Sequence, residues 1–202
     1  DKYRKLTITA ISTIKANGFL DLKGTLTTAA DVTVEGSDDA KVPGGKILLQ
    51  KEHWNYRWFG LIDTTSTPLQ ELTVEAGVSG GNPGLVYGAG EIEVVIHNEG
   101  IVQGGCTGCQ SGWPNQPFLN LHEAADGSGD WWSRYSGGVG FLGGVSGAGD
   151  WHADCAEGNG AKGFAIGSAS CVSGDILVSV GGLNILANFC TTGKLTLGVC
   201  RT

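Results

Sequence analysis

The segment Glu91-Ile92-Glu93-Val94-Val95-Ile96-His97 alternates apolar and polar residues, so that Ile92, Val94 and Ile96 share one face of an extended strand. Shorter strand signals occur at residues 6–10, 19–22, 25–27, 46–49, 71–75, 175–180, 183–186 and 194–199. Long windows with the i, i+3, i+4, i+7 apolar stripe of an amphipathic helix are missing, and glycine interrupts most of them. The chain is therefore expected to be all-β.

A turn signal early in the chain indicates how the strands connect. Lys15-Ala16-Asn17-Gly18 separates two apolar runs, and Asn-Gly tolerates the positive φ angles of a tight hairpin turn. Many short strands spaced by turn clusters are typical of antiparallel architectures. We predict one all-β domain over residues 1–202, an antiparallel β-sandwich, with a barrel as the alternative. Its long Gly-rich loops are expected to be cross-linked by disulfides.

Composition narrows the classes of partner. The chain has 20 acidic and 13 basic residues, a net charge of −7 and 35 glycines that cluster with turn residues. The basic residues form no cationic stripe, so nucleic acid is not an expected partner. No apolar stretch reaches the ~20 residues that a membrane-spanning helix needs, and no transmembrane segment is expected. Oligomeric state is left open.

The cysteines indicate an oxidising compartment. All six lie in the second half of the chain, at Cys106, Cys109, Cys155, Cys171, Cys190 and Cys200. An even count in a chain without a redox βαβ pattern favours three structural disulfides, although Cys106 and Cys109 also have the C-x-x-C spacing of redox and zinc sites. The chain begins at Asp1 and contains no methionine, as expected of a processed, secreted protein.

Residues 104–162 are rich in Cys, Trp and Gly and are predicted to form a folded loop face on the β scaffold. Within it, Gly127-Ser-Gly-Asp130-Trp131-Trp132 is followed twenty residues later by Gly147-Ala-Gly-Asp150-Trp151-His152. Each copy precedes a Gly-Phe pair, Gly140-Phe141 and Gly163-Phe164. An indole can stack on the apolar face of a sugar while a nearby carboxylate accepts its hydroxyl groups.

The pattern predicts a ligand-binding face for a glycan or small molecule. Its candidate residues are Asp130, Trp131, Trp132, Arg134, Tyr135, Asp150, Trp151 and His152. The alternative interpretation is that these tryptophans are core residues of a loop-rich region. The aromatic run at residues 53–59 is a second place where a flat ligand could bind, or else a piece of the core.

Three functions remain open from the sequence. The first is a secreted, non-enzymatic, lectin-like carbohydrate-binding protein. The second is a carrier or storage protein for an aromatic ligand, a pigment or a metal, with His122, His152 and Asp154 as weak metal candidates and Asp150 as a further ligand. The third is a hydrolase that uses two carboxylates from Glu123, Asp126, Asp130, Asp150, Asp154 and Glu157. No motif requires a cofactor, and no catalytic residue is assigned.

Overall fold

The structure is a computed structural model that describes residues 5–50, 60–64, 69–106, 118–153 and 162–198. Within these ranges the chain forms 24 short β-strands and every strand pair in the sheets is parallel. Paired strands are always three apart in the sequence. The chain therefore winds as a solenoid of eight coils in the described residues, each coil placing one strand on each of three faces.

Face A is an eight-stranded sheet. Its strands are β1 (Lys5–Ile8), β4 (Thr25–Thr28), β7 (Leu61–Thr64), β10 (Gly90–Ile92), β13 (Phe118–Leu121), β16 (Gly138–Phe141), β19 (Gly163–Ile166) and β22 (Gly182–Ile185).

Face B consists of a five-stranded and a three-stranded sheet, joined by a single parallel bridge between Ala125 and Val145. Its strands are β2 (Ser12–Ile14), β5 (Val32–Val34), β8 (Glu71–Val74), β11 (Val95–Asn98), β14 (Ala125–Asp126), β17 (Ser146–Gly147), β20 (Ser170–Val172) and β23 (Phe189–Thr191).

Face C is a second eight-stranded sheet. Its strands are β3 (Phe19–Leu22), β6 (Lys46–Leu49), β9 (Leu85–Gly88), β12 (Ile101–Gly104), β15 (Asp130–Ser133), β18 (Trp151–Ala153), β21 (Ile176–Val178) and β24 (Leu195–Leu197). Three faces closed by eight stacked coils make this a parallel β-helix.

The prediction of an antiparallel sandwich, or a barrel, is wrong, because the strands are parallel and stack coil on coil. The Asn17-Gly18 turn is formed, with Asn17 at φ 62° and the Gly18 N–H donating to the Lys15 carbonyl at 2.7 Å. It does not fold β3 back onto β2. It turns the chain from face B to face C, where Phe19–Leu22 pairs with Lys46–Leu49 of the next coil.

The core is built of columns of inward-facing residues that stack from coil to coil. On face A one column runs through Leu26, Ile62, Ile92, Leu121, Phe141 and Ile166, all 1% exposed or less. The polar residue Asn98 also lies inside and is fully buried, and its amide donates to the Asp130 carbonyl at 3.1 Å. Stacking of like residues excludes water from the interior, which the hydrophobic effect favours.

A column of glycines occupies the corner before face C. In every coil a glycine immediately precedes the first outward-facing position of that face: Gly18, Gly45, Gly84, Gly100, Gly129, Gly149, Gly174 and Gly193. A Cβ on Gly149 would lie 2.0 Å from the carbonyl oxygen of Gly129, and one on Gly174 would lie 2.1 Å from that of Gly149. The neighbouring coils are therefore too close at this corner for any side chain.

The described part of the predicted loop face is mostly regular strand. Residues 118–153 form β13 to β18, which are two complete coils. No helix in the described ranges is long and apolar enough to cross a membrane.

Candidate functional site

The two matched sequence segments occupy the same place in neighbouring coils. Trp131 pairs with Trp151 and Trp132 pairs with His152 across β15 and β18. Gly127 and Gly147 both adopt positive φ, at 121° and 102°, where the chain leaves face B. The near-repeat is therefore one unit of the solenoid. The Gly-Phe pairs are not equivalent, because Phe141 lies opposite Ile166 and Phe164 opposite Val139.

Trp131 and Trp151 point inward and are fully buried. Trp151 packs on Phe141 with ring centroids 4.7 Å apart and on Phe164 at 5.0 Å, while Trp131 meets Phe141 edge to face at 5.1 Å. These two of the predicted ligand-binding residues belong to an aromatic core cluster, because alternate residues of a strand face opposite sides. They cannot contact a ligand on face C.

Trp132 points outward and is half-buried. Its ring stacks on the His152 imidazole, with centroids 4.2 Å apart and planes 18° apart, and the Arg134 Cζ lies 3.6 Å from the ring centroid. The indole is thus sandwiched between an imidazole and a guanidinium, a favourable cation–π arrangement. Sugar stacking needs an open ring face, and both faces of Trp132 are covered.

Asp130, Asp150 and His152 come together beside this stack. One potential ligand atom from each residue lies within 4.8 Å of the other two, and the His152 Nε2 is 3.9 Å from the Asp130 Oδ1. Asp150 is exposed, and the other two residues are half-buried. Among the described residues, this is the one group of three metal-ligating side chains so closely spaced.

The backbone holds Asp150 in place. Its Oδ1 accepts a hydrogen bond from the Asp175 N–H at 2.7 Å, and the Asp175 Oδ1 accepts one from the Lys194 N–H at 2.8 Å. The carboxylates of coils 6 and 7 therefore each bind the amide that starts the next strand of face C. Among the described residues, the Asp150 Oδ2 has no hydrogen-bond partner.

The remaining predicted site residues lie elsewhere. Tyr135 occupies the turn after β15 at φ 48°, where Gly137 N–H donates to the Arg134 carbonyl. His122 follows β13, and its Nε2 is 2.8 Å from the Glu91 Oε2. Asp154, Glu157 and the aromatic run at 53–59 lie outside the described residues.

Of the carboxylates considered for hydrolysis, only Asp130 and Asp150 share a site in the described part of the chain. Asp126 points out from face B, and Glu123 lies in the corner between faces A and B.

A second polar cluster on face B was not identified from the sequence. The His97 Nδ1 is 2.6 Å from the Asp126 Oδ1, and its Nε2 is 3.3 Å from the Glu99 Oε1. The hydrogen bond to Asp126 raises the pKa of His97, and the charges of Asp126, Glu99 and Glu71 add to that effect against the opposing effect of burial. Only the coil register brings His97 and Asp126 together, since 29 residues separate them.

One of the three predicted disulfides is seen as a pair in the described residues. Cys171 and Cys190 form a disulfide between directly paired positions of β20 and β23. Cys106 is also disulfide-bonded. Cys109, Cys155 and Cys200 lie outside the described residues.

Comparison with protein-family models, with curated protein sequences and with solved structures finds no match to this chain.

Proposed function

We propose that this protein binds a divalent transition-metal ion on face C, with Asp130, Asp150 and His152 as its ligands. The observation that carries the proposal is the separation of their ligand atoms, which is at most 4.8 Å. Two ligands of one Zn²⁺ ion lie no more than about 4.2 Å apart, which is twice a bond of ~2.1 Å. A small side-chain movement would therefore bring all three onto one ion.

Charge and ligand type indicate which ion fits. Two carboxylates balance the charge of a divalent cation, and an imidazole ligand favours Zn²⁺, Cu²⁺ or Ni²⁺ over Ca²⁺ and Mg²⁺, which prefer oxygen. Three protein ligands leave at least one coordination position open for water or for an oxygen of a bound ligand. The protein is then a metal-binding or metal-dependent ligand-binding solenoid. The exposed Cys171–Cys190 disulfide is compatible with action outside the cell.

Carbohydrate binding remains a prediction, but it needs a basis other than stacking on tryptophan. No indole of the matched segments is open for a sugar to stack on. Trp131 and Trp151 are buried, and Trp132 is covered on both faces. A glycan could still reach Asp130 and Asp150 through its hydroxyl groups or through the bound ion. A glycan array probed with and without Zn²⁺ separates these two routes.

The direct test is isothermal titration of the chelator-treated protein with ZnCl₂. We expect one ion per chain, and a loss of affinity of about tenfold or more in Asp150→Asn and in His152→Ala. Asp150→Asn is a mild change, because an asparagine retains a side-chain oxygen that can accept the Asp175 N–H.

His122→Ala is the matched control, because His122 pairs with Glu91 on face A. It should bind Zn²⁺ as the original protein does. Equal affinity of His152→Ala and the unaltered protein, or no saturable binding at all, would contradict the proposal.

A further inference from the structure

A pocket lies on face C of coils 1 to 3, away from the proposed metal site in coils 5 and 6. It has a volume of about 290 Å³, and its lining includes Asn17, Phe19, Lys46 and Tyr87. None of these residues was singled out for binding from the sequence.

The coil register brings these side chains together from three coils. Phe19 and Lys46 are directly paired positions on β3 and β6, and neighbouring strands lie only about 4.8 Å apart. Tyr87 lies on β9 and pairs with Leu48, two residues beyond the level of Lys46, so it faces outward on the same face. Asn17 belongs to the turn that begins β3.

Three polar side chains of the pocket, those of Asn17, Lys46 and Tyr87, have no hydrogen-bond or ion-pair partner among the described residues. Lys15 pairs with Glu35 at 3.1 Å and Lys23 with Asp21 at 3.1 Å, but the Lys46 ammonium forms no ion pair with a described residue. Likewise, the Asn17 side-chain amide and the Tyr87 hydroxyl make no hydrogen bond to any described residue.

The apolar component is the Phe19 ring. It is 57% exposed, although most large apolar side chains of this protein face inward. Burial raises the pKa of the Tyr87 phenol, and the charge of Asp21 adds to this. The phenol is therefore protonated at neutral pH and can donate a hydrogen bond.

We propose that this pocket binds a small organic anion in which a carboxylate is attached to a ring with an apolar face. The Lys46 ammonium pairs with the carboxylate, and the Phe19 ring packs against the face of the ligand ring. The Tyr87 hydroxyl and the Asn17 amide donate hydrogen bonds to ligand oxygens. The ring can come from an aromatic acid or from an acidic sugar, and both offer the same carboxylate and a face that an aromatic side chain can cover.

The test uses chelator-treated protein, so that it does not depend on the proposed metal site. Benzoate and glucuronate are titrated separately and followed by NMR, with phenol and glucose as their uncharged counterparts. We expect saturable binding of at least one of the two acids, and binding of its uncharged counterpart weaker by about tenfold or more. Preference between benzoate and glucuronate identifies the source of the ring.

Variants locate the site. Lys46→Gln and Phe19→Ala should each weaken binding of the acid by about tenfold, while Lys162→Gln, which removes an exposed charge outside the pocket, should not. Phe19 is exposed, so its replacement should leave the thermal unfolding midpoint nearly unchanged. The proposal is overturned if neither acid binds, if the uncharged counterparts bind equally well, or if Lys46→Gln retains full affinity.

Discussion

Trp132 and His152 stack face to face on neighbouring coils, with ring centroids 4.2 Å apart and an angle of 18° between their planes. The stack fixes the orientation of the imidazole, whose Nε2 lies 3.9 Å from the Asp130 Oδ1. The tryptophan therefore acts on the proposed metal site through the histidine, without offering a ligand itself.

Replacement of the stacking ring should weaken metal binding without abolishing it. We expect Trp132→Leu to lower Zn²⁺ affinity by about tenfold, the lower end of the loss that removal of a ligand-orienting contact causes. Trp132→Phe retains a ring that can stack and should restore most of the affinity. Titration calorimetry distinguishes the two variants, and equal affinities for both would show that stacking does not position His152.

The inward tryptophans should instead determine stability. Trp151 is fully buried and lies within 6.2 Å of Phe189 and closer still to Phe141 and Phe164, measured between ring centroids. Trp151→Ala leaves a large cavity and should lower the free energy of unfolding by about 3–5 kcal/mol. Urea denaturation measures this loss. Trp132→Ala is the matched control, and we expect a clearly smaller loss because its half-buried indole lies outside the core cluster.

The glycine column can be tested at a single position. A methyl group on Gly149 would lie 2.0 Å from the Gly129 carbonyl oxygen, whereas nothing lies within 4 Å of a Cβ on Gly182. Gly149→Ala must push two coils apart. It should lower the free energy of unfolding by about 1–3 kcal/mol, as overpacking does. Gly182→Ala should be nearly neutral. Thermal unfolding of both variants tests the column, and equal midpoints would contradict it.

The strands could be predicted from the sequence, but their pairing could not. Predicted runs at 19–22 and 46–49 coincide with β3 and β6. Alternation of apolar and polar residues shows only that one face is buried, and it looks the same in an antiparallel sheet and in a parallel coil. The pattern at 91–97 predicts one strand, but the chain turns a corner there between β10 and β11.

The repeat that decides the topology is hidden by variable coil length. Successive glycines of the column are separated by 16 residues between Gly84 and Gly100 and by 39 between Gly45 and Gly84. A search for a fixed period therefore fails, and only the likeness of the segments around Trp131 and Trp151, twenty residues apart, reveals a repeat in the sequence.

The candidate site was predicted in part. The sequence predicts that residues flanking the matched tryptophans bind a ligand. The structure brings three of them, Asp130, Asp150 and His152, together on one face. Which indole faces outward depends on strand register, and the stretch Asp130-Trp131-Trp132 offers both choices until that register is known. The Phe19 pocket and the His97 cluster join residues from different coils, so no local pattern could reveal them.

The His97 cluster predicts a pH dependence of stability. The folded-state pKa of His97 is raised, chiefly by the hydrogen bond to Asp126. Its stabilising contribution is therefore complete below the unfolded-state value of about 6.5 and is lost as pH rises through the higher folded-state value. His97→Gln should therefore lower the free energy of unfolding more at pH 6 than at pH 8. These two pH values lie below and above the ordinary histidine pKa. Urea denaturation at the two pH values tests this, and a difference that grows with pH would contradict it.

The Cys171–Cys190 disulfide should hold the last described coil against fraying. Coil 8 has a neighbouring coil on only one side in the described chain, and its side chains Ile185, Leu195 and Leu197 are 46%, 44% and 65% exposed. In a solenoid each coil is stabilised mainly by its neighbours, so this coil should open at the lowest free energy. A disulfide that links it to coil 7 opposes that opening by about 2–4 kcal/mol.

The matched experiment compares hydrogen exchange in the unaltered protein and in the double variant Cys171→Ser with Cys190→Ser, which leaves the disulfide of Cys106 intact. Backbone amides of residues 182–197 should exchange faster by about tenfold or more in the variant, since a loss of 1.4 kcal/mol already corresponds to a factor of ten. Amides of coils 1 to 4 should be unaffected, because solenoid coils contact only their neighbours. Equal acceleration along the whole chain would show that the protein unfolds as one unit and that the disulfide does not act locally.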